Sequence, residues 1–310
     1  KAIRRQRQMC IRDSYNYVPR DSHADIYARF RVMETPLDSK GTANCYIAPA
    51  LDTRYSFDAT VQGNGKNTTN IWPQQLHGVS ARVLWESGTL SETVVKDAAY
   101  SNGRISFSTG AVRGNAVIGL FDAAGNCIWS WHIWSVDYDP ATMAQTYSSG
   151  AVFMDRNIGA LTTDCTQPSS RGLYYQWGRK DPFIGPNTYQ GSEGSGASMY
   201  SGSGSRVYLK MSESSAETGT MEYAIRNPLV FITGVADTDN DWLWSGRSDQ
   251  LWSADDNVAD KSVNDPCPYG WRVAPSAAFA GLKIVGTPAA GDEEKFGWTL
   301  TDGNAESVFI

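Results

Sequence analysis

The run CIWSWHIW, Cys127 to Trp134, restricts the fold more than any other stretch of this chain. Read as a strand, its successive side chains alternate between two faces. Trp129, Trp131 and Ile133 then point one way. Ile128, His132 and Trp134 point the other, with Ser130 between them. A strand that is apolar on both faces needs cover on both faces. Two readings stay open for the second cover. Either the C-terminal half of the chain supplies it, or CIWSWHIW is an ordinary central strand with tall side chains.

Upstream, one texture repeats. ANCYIA (43–48), RYSFDATV (54–61), SARVLWE (80–86), GRISFST (103–109), GNAVIGLFD (114–122) and NCIWSWHIW (126–134) are short runs rich in strand formers. Their separators QGNGKN, SNGR and DAAGN carry Gly, Asn or Asp, which tolerate the positive φ of tight turns. AAGN ahead of CIWSW reads as a hairpin turn. Short strands at this spacing predict an antiparallel β-sandwich over residues 36–139. VDYDPATMAQ (136–145) reads as a connection to a second region, 148–310. There aromatics are frequent, periodicity is weak and loops are long. Loops bury little surface, so such a region needs its aromatics as anchors. MEYAIRN (221–227) reads as a short helix, and SAAFAGLKI (276–284) as another with Ser276 at its N-cap. Residues 191–205 read as a Gly/Ser-rich insert. The expected fold class is mainly β, with an α+β second part.

Bulk properties narrow the function classes. A length of 310 residues suits about two domains. With 41% hydrophobic and 19% charged residues, the chain can bury real cores, which argues against wholesale disorder. The net charge of −6 disfavours a nucleic-acid partner, which needs a basic face. No run of about 18 apolar residues occurs, so no transmembrane helix is expected. The start, KAIRRQRQMCIRDS, is basic, but the apolar stretch of a signal peptide does not follow it. MCIRDS, Met9 to Ser14, resembles the translation of a transposase adapter used in sequencing libraries. Residues 1–14 are therefore expected to be an artefact, with a disordered basic tail as the alternative. Residues 15–35 read as a linker. Setting 1–14 aside removes Lys1, Arg4, Arg5, Arg7 and Arg12 against Asp13 alone, leaving a more acidic remainder. The true start, with any signal peptide, is then expected to lie outside this sequence.

Motifs of catalysis are scarce. The histidines are His23, His77 and His132, and no HExxH, GxSxG or P-loop pattern occurs. His132, within a strand, reads as a satisfied core or interface histidine. No carboxylate pair stands out as an acid/base couple. GNGKNTTN (63–70) lacks phosphate-loop spacing, and Asn67-Thr68-Thr69 is a glycosylation sequon by letters only. DTDNDW (237–242) places Asp237, Asp239 and Asp241 at alternate positions. Calcium favours clustered oxygens, but an EF-hand needs Gly where Trp242 stands and a later Glu. A solvated acidic turn is the expectation and a calcium site the alternative; no metal or cofactor is assigned. Cys10 falls in the adapter-like stretch. Cys45 and Cys127 read as small core residues. Cys165 and Cys267 flank the aromatic segment, and a disulfide between them is one option for an exported protein. No zinc spacing is present.

GLYYQWGRKDPF (172–183) sets four rings beside charges. Alternation puts Leu173, Tyr175 and Trp177 on one strand face, closed by Gly178 and Asp181-Pro182. Arg179 and Asp181 are spaced to pair locally. The same composition suits a sugar, which stacks on rings and takes hydrogen bonds from charged side chains. The candidate ligand contacts are Trp177, Arg179, Lys180 and Asp181, with Trp242 and Trp244 of DWLW. Core and ligand contact both stand as readings.

Three blocks in order carry a resemblance: FMDRNIGA (153–160), GLYYQWGRKDPF, and DPCPYGWRV (265–273) beyond a variable insert. Together they resemble the Fibrobacter succinogenes major paralogous domain. The matching positions are Asp155, Arg156, Asn157 and Gly159; then Tyr175, Trp177 and Gly178; then Cys267, Pro268, Gly270, Trp271 and Arg272. Ala274, between Val273 and Pro275, lengthens the last block relative to the family. The resemblance covers about residues 148–310, and the upstream half is similar, less specifically, to the β domain that often precedes it. It implies a C-type-lectin-like fold shared with formylglycine-generating enzymes, expected to be incomplete here because a late family block does not appear. It implies a non-enzymatic, exported surface protein of gut Bacteroidota, extracellular or on the outer membrane. Such relatives are associated with fimbriae, adhesion and lipoproteins, so a glycan, a host protein or a pilin is the implied partner. One alternative is an oxidase of the formylglycine-generating type or its inactive relative, although the late cysteine pair of that type does not follow Cys267. The other is a purely structural surface module.

Overall fold

Alternation and turn chemistry produce strands close to where the sequence predicts them. The computed structural model describes residues 33–67, 71–88, 91–164, 167–184, 199–246, 248, 250–253, 260–285, 298–303 and 306–309. The expectations for 1–14, for nearly all of 15–35, for Cys165 and for 191–198 lie outside the described residues. The first strands are β1 (Thr35–Pro36), β2 (Cys45–Ile47), β3 (Arg54–Asp58), β4 (Ser80–Glu86), β5 (Val95–Ser101), β6 (Arg104–Thr109), β7 (Gly114–Phe121) and β8 (Cys127–Ser135). The turn between β7 and β8 is held by Asn126, whose backbone N–H donates to Asp122 Oδ1 at 2.8 Å, and by Gly125 at φ 82°. β5 escapes the sequence reading because a bulge between Lys96 and Ala99, with Asp97 at φ 57°, breaks its alternation.

One sheet runs β1-β3-β6-β5. The other runs β12-β11-β4-β7-β8-β2, where β11 (Met199–Tyr200) and β12 (Arg206–Val207) come from the C-terminal half. The expected all-antiparallel pairing needs correction, since β1 pairs with β3 and β2 with β8 in parallel. These partners are distant in sequence, so no hairpin turn announces them. Residues of both sheets meet in one core, among them Tyr55, Phe57, Ile105, Phe107, Ile118, Trp129 and Trp131. Each fully buried apolar side chain of this kind contributes about 1.5–3 kcal/mol.

The opposite face of the larger sheet is covered as well. Trp85 and Val117 pack with Phe183, Ile184, Met199 and Leu209. Cys45 and Trp134 pack with Val136 and Tyr138. A bulge between Val83 and Trp85 explains how two residues that strict alternation puts on one face enter opposite layers. β8 is buried on both faces, and its second face meets the later region. Ser130 Oγ donates to Asp181, Trp134 Nε1 donates to the Ala160 carbonyl at 3.2 Å, and Asn115 beside His132 donates to the Gly159 carbonyl at 2.9 Å. Of the two readings of CIWSWHIW, cover by the C-terminal half is the one observed. Residues 34–310 accordingly form one compact unit.

The later region is built from short pieces. α1 (Pro140–Met143) is capped by Asp139, and β9 (Gln145–Thr146) pairs with β10 (Val152–Phe153). β13 (Lys210–Glu213) lies parallel to β14 (Val230–Thr233). Between them runs α2 (Met221–Arg226), as MEYAIRN predicts, with Thr220 Oγ1 accepting the Tyr223 N–H. The helix expected at 276–284 is a single 3-10 turn, Ser276–Phe279, with Pro275 rather than Ser276 at its N-cap. β15 (Lys283–Val285), β16 (Trp298–Thr301) and β17 (Glu306–Phe309) form an antiparallel sheet. No helix among the described residues is long and apolar enough to cross a membrane.

Candidate functional site

The expected strand at 172–183 is instead a loop pinched at one pair. Tyr174 and Phe183 exchange backbone hydrogen bonds of 2.9 and 2.8 Å, and Gly178 turns the chain at φ 82°. This turn reverses the predicted burial. Arg179, Lys180 and Asp181 go inside, while Trp177 stays 40% exposed.

Arg179 lies in a cage of acceptors. Its Nη1 donates to Gln176 Oε1 at 2.7 Å and to the Val230 carbonyl at 2.8 Å, and its Nη2 to the Ala224 and Asn227 carbonyls at the end of α2. The Phe183 ring lies 5.1 Å away. Burial lowers the guanidinium to about 10, which leaves it charged at neutral pH. The expected Arg179–Asp181 pair does not form; Asp181 is instead 2.7 Å from Lys180 Nζ, and Ser130 sits between them. Trp242 is buried, donating its indole N–H to the Trp177 carbonyl at 2.7 Å. Arg179, Lys180, Asp181 and Trp242 are therefore packed inside the fold. Trp177 and Trp244, at 40% and 39% exposed, keep partly open rings, although Trp177 also leans on Trp252 at 4.7 Å.

The residues of the other two blocks are mostly locked in place. Arg156 holds Asp155 through two bonds of 2.9 and 3.1 Å and lies over the Tyr138 ring. Asn157 donates to the Arg171 carbonyl, and Gly159 adopts φ 88° against Leu173, where a Cβ would clash. Tyr175 is partly buried, with its hydroxyl oxygen enclosed. DPCPYGWRV wraps around two groups. Asp265 accepts the N–H groups of Cys267 and Val273, each at 2.8 Å. Lys261 Nζ donates to the carbonyls of Cys267, Pro268 and Trp271. Gly270 turns the loop at φ 80°. Arg272 differs: its Nη1 is buried without a hydrogen-bond partner.

Cys45, Cys127 and Cys267 are free and buried, as expected for the first two. Burial pushes all three thiols up, Cys127 to about 11, away from the reactive thiolate. Among the described residues no group of three or more His, Cys, Asp or Glu is placed to hold a metal ion. Asp241 uses its carboxylate to accept the Leu243 N–H at 2.9 Å, and Asp237 and Asp239 point to solvent.

The concave surface with ligand chemistry lies elsewhere, between residues 71–77, the start of β8 and α2. Its volume is about 750 Å³. The IWPQQLH stretch is held rigidly at its base. Leu76 is buried and donates its N–H to the Thr60 carbonyl at 2.7 Å; Gln62 and Gln74 bond to each other twice, at 3.2 and 3.1 Å. This anchoring leaves Trp72 74% exposed on the rim, with Gln75 and His77 also exposed. The floor is apolar, with Ile128, Trp129, Met221 and Ile225. α2 adds the exposed pair Glu222–Arg226 at 3.0 Å. Asp122, opposite, accepts the side-chain and backbone N–H groups of Asn126, which hold its carboxyl below the usual range, with Arg226 adding to the effect. A ring face, amides and ionised groups around one cleft can stack on and hydrogen-bond a polyhydroxyl ligand. The sequence reading missed this cleft. Its one signal was a Trp in a Pro- and Gln-rich stretch that alternates with nothing.

Comparison with family models, with curated proteins and with solved structures found no match for this chain.

Proposed function

We propose that this protein is a non-enzymatic surface-binding module that holds a glycan in the cleft beneath Trp72. The observation that carries the reading is Trp72 itself, a large ring kept in water by a rigid base beside Gln74, Gln75 and an ionised Asp122. Exposed tryptophans flanked by planar polar groups suit the alternating CH and OH faces of sugars. The two sheets that share one core support a β-sandwich, and the loop-rich later region is compatible with the lectin-like fold that its three blocks suggest. An exported, fimbria-associated or adhesive setting follows from the same resemblance. Burial of Arg179, Lys180 and Asp181 favours a structural role for the aromatic block itself, so the binding role moves to the cleft.

The test is a glycan array followed by calorimetry on the full chain, Trp72→Ala and Gln75→Ala. A bound oligosaccharide that loses about tenfold or more of its affinity in Trp72→Ala, at unchanged melting temperature, is expected. A chain that binds no oligosaccharide, or a Trp72→Ala variant that binds as well as the parent, overturns the reading.

A further inference from the structure

The Trp72 cleft carries a polar group that the fold leaves unused. Asn264 lines it and is only 4% exposed. Its backbone N–H donates to Ser262 Oγ at 3.0 Å. Its side-chain amide has no hydrogen-bond partner among the described residues, yet neither amide atom is sealed from solvent. Asn44 makes the contrast. That buried amide gives both N–H groups to the Val263 and Asp265 carbonyls, and its oxygen accepts from Trp129. The same two bonds fix the backbone on either side of Asn264, and Ser262 Oγ donates to the Leu251 carbonyl. Asn264 is therefore held where it is. A desolvated amide costs the fold free energy until a partner meets it.

We propose that the cleft selects a neutral glycan bearing a 2-acetamido group, and that Asn264 sets this choice, a specificity that rests on the glycan reading of the cleft. The two amides are complementary. Asn264 Nδ2 can donate to the acetamido carbonyl while Oδ1 accepts the acetamido N–H. Val263 and Leu251, both buried, line the same cleft and offer the acetyl methyl an apolar wall. A 2-hydroxyl reaches one end of the amide at a time and brings no methyl. A site with a buried polar group rejects ligands that leave it unpaired. Charge removes the acidic sugars. Asp122 and Glu222 line the cleft, and Arg226 is already paired with Glu222 at 3.0 Å. An anionic ligand meets no uncommitted Lys or Arg among the described lining residues.

The experiment titrates the full chain with triacetylchitotriose, with cellotriose, and with deacetylated chitotriose. The three share one backbone and differ at the 2-position. Triacetylchitotriose should bind about tenfold or more tightly than cellotriose. Asn264→Leu should remove that difference at a melting temperature no lower than the parent's, because the amide has no bond in the fold to lose. Asn264→Ala gives the same readout with a smaller side chain, should Leu crowd the cleft. Equal binding of triacetylchitotriose and cellotriose, a preference that survives both variants, or deacetylated chitotriose binding as tightly as the acetylated form overturns the inference. Binding of some other glycan, lost in Trp72→Ala, with no response to triacetylchitotriose overturns this specificity and leaves the glycan reading standing. A chain that binds no glycan overturns both.

Discussion

Lys180 Nζ stands 2.7 Å from Asp181 Oδ1 with both side chains buried, and Ser130 of the central strand lies 2.5 Å from each. The turn at Gly178 folds them under β8, where the Trp129 ring lies 4.6 Å from the ammonium. Removing one partner of a buried ion pair strands the other charge, at a cost of about 3–5 kcal/mol. Lys180→Met and Asp181→Leu should each destabilise by about that amount. The double variant should lose less than the sum of the singles, because no lone charge is left inside. Urea unfolding of the four proteins measures the coupling, and additive losses would refute a coupled pair.

His132 should make stability fall in acid. Asn115 gives its amide N–H to Gly159, so its Oδ1 accepts from His132 Nε2 at 2.9 Å, and Nδ1 is left as a bare lone pair in the core. Burial lowers the imidazole from 6.5 to about 3. A base depressed in the folded state contributes stability that is fully present above pH 6.5 and lost as the pH falls toward 3. One proton sets a limit of about 1.4 kcal/mol per pH unit in that window. His132→Gln, which keeps a donor toward Asn115, should flatten the acid limb of the stability curve relative to the parent. Identical acid limbs in the two proteins would remove His132 as the cause.

The sheet strands were readable because each alternates and is bounded by Gly, Asn or Asp; β4, β6, β7 and β8 fall within a residue or so of their sequence runs. The parallel partners of β1 and β2 were not readable, since pairing across 20 to 87 positions leaves no local mark. The site was misread for a physical reason. Charged residues are rarely buried unless paired, so Arg179-Lys180-Asp181 reads as surface. What buries them is tertiary: carbonyls at the end of α2, and Ser130 some 50 positions away. Trp72 was missed because IWPQQLH has neither strand alternation nor a helical period, so no local pattern places its ring inside or outside.

Gly178 and Gly125 separate backbone strain from crowding. Both sit at φ 82°, where an L side chain is strained by about 1–2 kcal/mol. A Cβ on Gly125 meets nothing within 4 Å, whereas one on Gly178 lies 2.3 Å from Leu251 Cδ1 and 2.6 Å from Leu251 Cβ. Gly125→Ala should therefore show only the backbone cost. Gly178→Ala should lose a further 1–3 kcal/mol or so from overpacking. It should also loosen Arg179 and Trp177, visible as a change in tryptophan fluorescence. Equal melting-temperature losses in the two variants would mean that Leu251 moves aside freely.

Asn44 ties the early sheet to the loop that carries Arg272. Its Nδ2 donates to the Val263 and Asp265 carbonyls at 2.7 and 2.9 Å, and its Oδ1 accepts from Trp129 Nε1 at 3.0 Å. All its bonding capacity toward the loop is as donor, and the side chain is buried. Asn44→Asp keeps the shape but replaces the donor with a carboxylate oxygen that faces two carbonyls. The folded state should then lose at least 2–3 kcal/mol or so, more than in Asn44→Ala, which removes the donor without adding charge. Because the lost bonds anchor residues 263–265, amide exchange should accelerate across 261–273 before it does in β7 and β8. Exchange mass spectrometry resolves this order, and uniform acceleration over the whole chain would show that the tie is no more local than the fold itself.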